Sequence, residues 1–170
     1  MKCTRLYNLY RNKEELRMYI VLFLSIVSLA LTSGCALNKA TGYQSPNFKA
    51  KNISTLYVVQ RAGDERQINM LIKTELEKYG YVVNTGSEDS VPKQIDGLVT
   101  YIDRWVWDFS DYMMELSVFI KDPKDGFPIS NGYSVHTSLT RLSAEEMVEE
   151  VVANVLGKEV TRENNIETNN

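Results

Sequence analysis

The chain has 170 residues, of which 44% are apolar and 24% charged, close to the averages of globular proteins. It has room for about one domain, and this composition excludes disorder throughout and a protein made only of membrane spans. Five of the 19 basic and two of the 22 acidic residues lie before residue 35, which leaves 14 and 20 and a net charge of −6 beyond it. Because such a surface repels phosphate, nucleic acid is not an expected partner.

The first patterned element is the apolar run "MYIVLFLSIVSLALT", residues 18–32. As a helix it would span about 22 Å, which is short of the roughly 30 Å hydrocarbon core of a bilayer. The run follows a basic segment and ends in small residues, which is the arrangement of an export signal peptide. An uncleaved anchor or a buried helix is the alternative interpretation.

The run closes with "LALTSGC", residues 29–35, which resembles the lipobox of bacterial lipoproteins, with Thr32 where leucine is commonest. The resemblance implies that residues 1–34 are a cleaved signal peptide and that Cys35 is acylated by fatty chains such as palmitate. Ala36 after this cysteine implies the outer membrane, on its periplasmic side; the inner membrane or a Gram-positive cell membrane is the alternative. Cys3 is the only other cysteine and would leave with the signal, so no disulfide is expected.

The exported part divides by composition into a spacer, a domain and a tail. Residues 35–52 include Gly42 and Pro46 and show no period, which predicts a flexible tether behind the lipidated cysteine. Residues 53–158 carry regular apolar patterns and are the predicted domain. Residues 159–170 are acidic and rich in asparagine, which predicts a disordered tail.

Within the domain, apolar periods and turn residues predict two helices and four or five strands. In order they are a strand at 53–60, a helix that Asp64 and Gln67 cap and that runs to Tyr79, a short strand at 81–84, strands at about 95–108, 112–122 and 128–140, and a helix that Ser143 and Glu146 open and Gly157 ends. The last three strands have short connections and must be antiparallel neighbours. The predicted fold is an α+β two-layer sandwich with a mixed, mostly antiparallel sheet, in the order β-α-β-β-β-β-α or β-α-β-β-β-α, and helices on one face.

The stretch "YIDRWVWDFSDY", residues 101–112, is the first candidate for a binding surface. Alternation places Tyr101, Trp105 and Trp107 on one side of the strand. Two interpretations stay open: the tryptophans pack beneath a helix, or they form an aromatic platform on the helix-free face. Outward-facing residues of the next strands would extend that platform, which gives the candidate surface Tyr101, Trp105, Trp107, Phe119 and His136.

The last strand supplies the only histidine. Its pattern places Tyr133, Val135 and Leu139 inward and Gly132, Ser134, His136 and Ser138 outward. A catalytic His136 with a serine neighbour, or a carboxylate pair among Asp103, Asp108, Asp111 and Glu115, would give a hydrolase. Neither pattern has the spacing of an established catalytic motif, and no metal or phosphate-binding motif is present in the sequence. We therefore expect no enzyme activity, metal or cofactor.

The final predicted helix carries Glu145, Glu146, Glu149 and Glu150. These acids favour the dipole in the first turn and otherwise form a solvated face. The alternative is a docking surface for a basic partner.

The exported part as a whole is similar to small periplasmic α/β lipoproteins that are accessory parts of transporters and of polysaccharide or lipopolysaccharide export. This resemblance depends on the lipobox, the tether, a β-α-β opening that ends "EKYGYVV" and the antiparallel meander. It implies a lipid-anchored, non-catalytic binding or assembly role, with an envelope protein or a second copy of the chain as partner. Glycan binding by the aromatic face is the alternative function, and an envelope hydrolase is a weaker one.

Overall fold

The computed structural model describes residues 17–25, 38–46, 48 and 52–158. The chain divides into two compact units, residues 1–35 and 36–170. In the first unit, residues 17–25 are helical and exposed, and none of the helices described here is both long and apolar enough to cross a membrane. The predicted lipidation site Cys35, the end of the signal peptide and the tail at 159–170 lie outside the described residues.

Among its described elements, the second unit has a six-stranded sheet and two longer α-helices on one face of that sheet. The strands are β1 (Asn38–Gln44), β2 (Thr55–Val59), β3 (Val82–Gly86), β4 (Gly97–Asp108), β5 (Ser110–Lys121) and β6 (Pro128–His136), and the helices are α1 (Ile68–Lys78) and α2 (Ala144–Leu156). The strand order is β1-β6-β5-β4-β2-β3, with β2 parallel to β3 and β4 and the other pairs antiparallel. The predicted α+β sandwich is confirmed, in the longer of the two predicted orders and with β1 added in front.

The prediction of a tether over residues 35–52 is wrong for the part that forms β1. Residues 38–44 pair with β6 along their whole length, and Phe48 behind them is buried. The strand shows no apolar period in its sequence because helix α2 lies too close at Gly42 for a side chain to fit. A Cβ on Gly42 would stand 2.2 Å from the Asn154 carbonyl oxygen. The strand is held by its backbone pairing with β6 and by Gln44 Nε2, which donates to the Val155 carbonyl at 2.9 Å, rather than by an apolar pattern.

The core lies between the helices and one face of the sheet. It includes Leu56, Val58 and Val99 from β2 and β4, Leu116, Val118 and Ile120 from β5, Ile68, Ile72 and Leu76 from α1, and Met147, Val151 and Val155 from α2. The capping box of Ser143 and Glu146 is present at the start of α2, as predicted. At α1, Asp64 accepts a hydrogen bond from the Asn69 N–H at 3.1 Å, while Gln67 is the N-cap residue itself, in the left-handed conformation.

The predicted facing of β6 is reversed in the structure. Gly132, Ser134 and His136 lie beneath α2, whereas Tyr133 and Val135 lie on the opposite face. Small side chains serve this contact, since a Cβ on Gly132 would stand 2.5 Å from the Val151 carbonyl oxygen. The apolar pattern therefore gave the wrong side, because the close helix–strand packing selects small residues instead of large ones.

Candidate functional site

The five residues of the predicted binding surface do not form one surface. Tyr101 is buried; its hydroxyl donates to Asp64 Oδ2 at 2.6 Å and accepts from the Arg61 N–H at 3.2 Å. Burial and the hydrogen bond to Asp64 raise the pKa of Tyr101 well above its ordinary value. Burial also acts to raise the pKa of Asp64, but the hydrogen bonds from Tyr101 and the α1 backbone outweigh it and hold that pKa below its usual value. Tyr101 therefore ties the β2–α1 loop to β4.

The two tryptophans occupy different environments on the helix side of β4. Trp105 is half-buried against the core, donates from Nε1 to Asp103 Oδ2 at 2.8 Å, and has the Arg66 guanidinium 4.2 Å above its ring. Trp107 is 74% exposed. Because Arg66 covers Trp105, the pair does not make a joint platform.

His136 belongs to the α2–β6 contact and not to a surface. It is 1% exposed, and its Nε2 lies 2.8 Å from Glu150 Oε2. The hydroxyl of Ser134 donates to Glu150 at 3.3 Å rather than to the imidazole. The described contacts of His136 therefore lack the hydrogen bond between nucleophile and base that serine catalysis requires.

Each of the four acids considered for a catalytic carboxylate pair forms an ion pair with an arginine. The pairs are Asp103–Arg61 at 2.7 Å, Asp108–Arg141 at 3.2 Å, Asp111–Arg66 at 3.3 Å and Glu115–Arg104 at 3.1 Å. A glycosidase needs one carboxyl group that keeps its proton and a second that faces it across the substrate. Four carboxylates engaged one by one with guanidinium groups fit a structural role better than that chemistry.

The most exposed apolar side chains of the second unit include three at one end of the sheet, which we call the hairpin tip: Trp107, Phe109 and Leu139. Phe109 is the turn residue between β4 and β5, is 93% exposed, and has a φ of 58°. Leu139 lies in the short 3-10 turn Ser138–Thr140 after β6 and is 75% exposed. A bulky residue in the left-handed region costs stability, which makes Phe109 a candidate contact residue.

Two arginines hold the hairpin tip in place. Arg141, between β6 and α2, donates to the Asp108 carbonyl at 2.9 Å and to Ser110 Oγ at 2.8 Å, and its guanidinium lies 4.4 Å above the ring of Tyr112. Arg66, before α1, makes the corresponding stacking contact on the other side of the hairpin. These contacts of Arg141 and Arg66 fix the position of the hairpin that carries the tip. Neither Phe109 nor Leu139 was predicted as a contact residue, and the prediction that Leu139 points inward is wrong, since it is 75% exposed. An aromatic residue inside the tight turn "DFS" was the available signal for Phe109.

The start of β1 lies at the same end of the sheet as the hairpin tip. Asn38 is paired with His136, the last residue of β6, and β5 continues past this level over residues 110–114 to the hairpin tip. Five strand residues span about 16 Å. The hairpin between β5 and β6, with the exposed Phe127, is at the opposite end.

Phe119 belongs to the face of the sheet that carries no helix, which we call the open sheet face. Cross-strand register gives its rows: Leu98 with Lys121; Thr100, Phe119, Asn131 and Tyr43; Ile102, Ser117, Tyr133 and Thr41; Arg104, Glu115, Val135 and Lys39. Ile102 and Tyr43 are more than half exposed. The two central rows contain no charged residue, while the outer rows carry three bases and one acid.

A cleft of approximately 610 Å³ lies beside this face, at the carboxyl ends of the parallel strands. Its walls are the loop after β2, from Gln60 to Glu65, and Ser87 and Glu88 after β3, with Thr100 and Tyr101 from β4. Arg61 in this wall is engaged with Asp103. No group of acidic, histidine or cysteine side chains among the described residues is arranged to hold a metal ion.

The fold and site together define a small two-layer α+β domain with a projecting aromatic hairpin. No family model and no curated protein matches this chain. Similar solved structures include the PelC dodecamer from Paraburkholderia phytofirmans, at 10% identity and a TM-score of 0.49, over 71% of this chain and 95% of that chain. A single-substitution variant of the same dodecamer is similar over the same shares, at 10% identity and a TM-score of 0.48.

Proposed function

We propose that this protein is a lipid-anchored, non-catalytic binding protein of the cell envelope, tied to the outer membrane through Cys35, whose hairpin tip contacts the bilayer. The observation that carries the proposal is the position of the three exposed apolar side chains at the end of the sheet where β1 begins. Cys35 precedes Asn38 by three residues, which reach about 10 Å when extended. A tip that projects about 16 Å past the start of β1 is therefore able to reach a surface to which Cys35 is tied this closely.

The chemistry of the hairpin tip fits a bilayer interface. Tryptophan and phenylalanine are favoured at the level of the lipid headgroups, and interfacial segments bury their apolar side chains about 5–10 Å deep. Acyl chains and an apolar tip at one end would reinforce each other, because each buried methylene adds about 0.8 kcal/mol to membrane binding. The bilayer contact would then fix the orientation of the domain, with the open sheet face and the helices turned sideways.

The anchor is tested by the mass and the first residue of the exported protein. The mature chain should begin at Cys35 and carry the mass of fatty chains, and Cys35→Ser should lack both that mass and the cleavage before residue 35. A chain that begins elsewhere, or an unmodified Cys35, would contradict the lipid anchor.

The orientation is tested with the two tryptophans of the chain as separate reporters. In vesicles that contain brominated lipids, the lipidated Trp105→Phe variant reports on Trp107 alone, and we expect strong quenching of its fluorescence. The matched Trp107→Phe variant reports on the shielded Trp105 and should be quenched much less. Equal quenching of both reporters would leave the anchor in place but reject the contact of the hairpin tip.

A further inference from the structure

The open sheet face and the helical layer carry opposite charge, although they belong to the same domain. The outer rows of the open sheet face contain Lys39, Arg104 and Lys121 against one acid, Glu115. The part of the chain beyond residue 35 nevertheless has a net charge of −6. The basic face is therefore a local exception on an acidic domain.

The acidic charge is concentrated on α2. Between Ala144 and Leu156 the helix contains four glutamates and no lysine or arginine. Glu146 belongs to the capping box and Glu150 to the contact with His136. Glu145 and Glu149 line a groove between α1 and α2 of approximately 180 Å³, with Leu71 and Val148 among its apolar lining. Lys78 of α1 also lines the groove but is paired with Glu75 at 2.6 Å, so the lining keeps an excess of acids. Such a groove suits a lysine side chain, whose stem packs on apolar surface while its ammonium group meets a carboxylate.

The open sheet face has the anatomy of a protein interface. Its centre is uncharged and contains the exposed Ile102 and Tyr43 together with Phe119 and Tyr133, and its charges lie at the rim. Depletion of charge at the centre with aromatic enrichment is what distinguishes interfaces from the rest of a surface. Four strands by four rows cover about 500 Å², which is near the lower end of the area that one partner contributes to a specific interface.

We infer that the partner of the open sheet face is the helical layer of a second copy of this chain. The basic rim, with Lys39 and Lys121, meets the α2 acids of the neighbour, and one lysine enters the groove between α1 and α2. Face-to-face pairing of two open sheets is disfavoured because it would oppose bases to bases. Since the two surfaces differ, the contact is head-to-tail and continues from copy to copy, in a closed ring or an open stack. This inference concerns residues 36–170 and does not depend on the lipid anchor.

Charge reversal on the two surfaces tests the contact by sedimentation of a chain that starts at Ala36. We expect the unmodified chain to associate as its concentration rises. The face variant (Lys39→Glu with Lys121→Glu) and the helix variant (Glu145→Lys with Glu149→Lys) should each need at least tenfold higher concentration to associate. Matched reversals outside both surfaces, Lys93→Glu and Glu88→Lys, should associate as the unmodified chain does. Thermal unfolding of each variant separates lost contact from lost fold.

Combining the charge reversals, in a mixture or in one chain, distinguishes a head-to-tail contact from other contacts. An equimolar mixture of the face and helix variants should associate again, and so should one chain that carries all four reversals. If the mixture associates while the fourfold variant stays monomeric, the contact joins two open sheet faces and the inference is wrong. An unmodified chain that stays monomeric throughout, or face and helix variants that associate as it does, would also overturn it.

Discussion

Replacing Phe109 by glycine should make the domain more stable while it removes the side chain proposed to touch the membrane. Phe109 is 93% exposed, so its truncation gives up almost no buried surface. Its φ of 58° costs an L-residue about 1–2 kcal/mol, and glycine adopts this conformation freely. Against this gain stands the greater freedom of glycine in the unfolded chain, about 0.5–1 kcal/mol. The net expectation is a gain of about 0.5–1 kcal/mol in the free energy of unfolding.

The measurement is thermal or denaturant unfolding of the chain from Ala36, with Phe127→Gly as the matched control. For a domain of this size the gain corresponds to a rise in Tm of roughly 2–8 °C. Phe127 is also exposed, at 70%, but it lies outside the left-handed region, so the same substitution there should lower the stability. In lipidated protein, Phe109→Gly should weaken the quenching of Trp107 by brominated lipids, whereas Phe127→Gly should not.

Two results would refute this reasoning. A clear loss of stability in Phe109→Gly would mean that the ring packs on the domain and is not free for a partner. A gain of equal size at Phe127 would mean that backbone conformation does not explain the effect. An increase in stability joined to a loss of membrane contact is the combination that marks a side chain kept for function at a cost to folding.

Four further substitutions test the fold around the site. Gly132→Ala should cost about 1–3 kcal/mol, because its Cβ would stand 2.5 Å from the Val151 carbonyl oxygen; an unchanged denaturation midpoint would contradict the close packing of α2. Trp105→Ala should lower the free energy of unfolding by about 2–4 kcal/mol, since a half-buried ring and the donor to a buried carboxylate are lost. Trp107→Ala should change the free energy of unfolding by no more than about 0.5 kcal/mol, because this ring is exposed. Equal losses in chemical unfolding would contradict the different burial of the two rings. Hydrogen bonds from Ser54 and Thr55 lower the pKa of Asp96, so the ionised Asp96 stabilises the fold above its unfolded pKa of about 4 and loses that contribution as the pH falls. In a pH series of unfolding curves, Asp96→Asn should be less stable than the unmodified chain at pH 7 and should lose less stability on acidification.

The architecture was predictable where local chemistry and long-range packing agree. The capping box at Ser143 and the glycine at 157 marked the limits of α2, because both act within a few residues of the chain. The three antiparallel strands followed from connections too short for any other arrangement. The apolar positions Leu116, Val118 and Ile120 lie in the core as their alternation indicated.

The errors lie where backbone approach replaces apolar burial. Strand β1 has no apolar period because it is an edge strand that helix α2 reaches through Gly42. Strand β6 turns its glycine, serine and histidine toward the same helix, so that a rule that places apolar residues inward selects the wrong face. Both errors have one physical cause. The distance of closest approach between helix and sheet is set when the layers pack together, so it produces no apolar period in the sequence.

By itself the sequence determined the fold class, and it predicts an export signal and lipidation at Cys35, because both depend on residue patterns within a short stretch of chain. Only the tertiary structure decided what each side chain is for. It placed His136 and Tyr101 inside, covered Trp105 with Arg66, and brought Phe109 and Leu139 to the end of the sheet where β1 begins. Those positions depend on which strands become neighbours and which face the helices cover, and such relations join residues that are far apart in the chain.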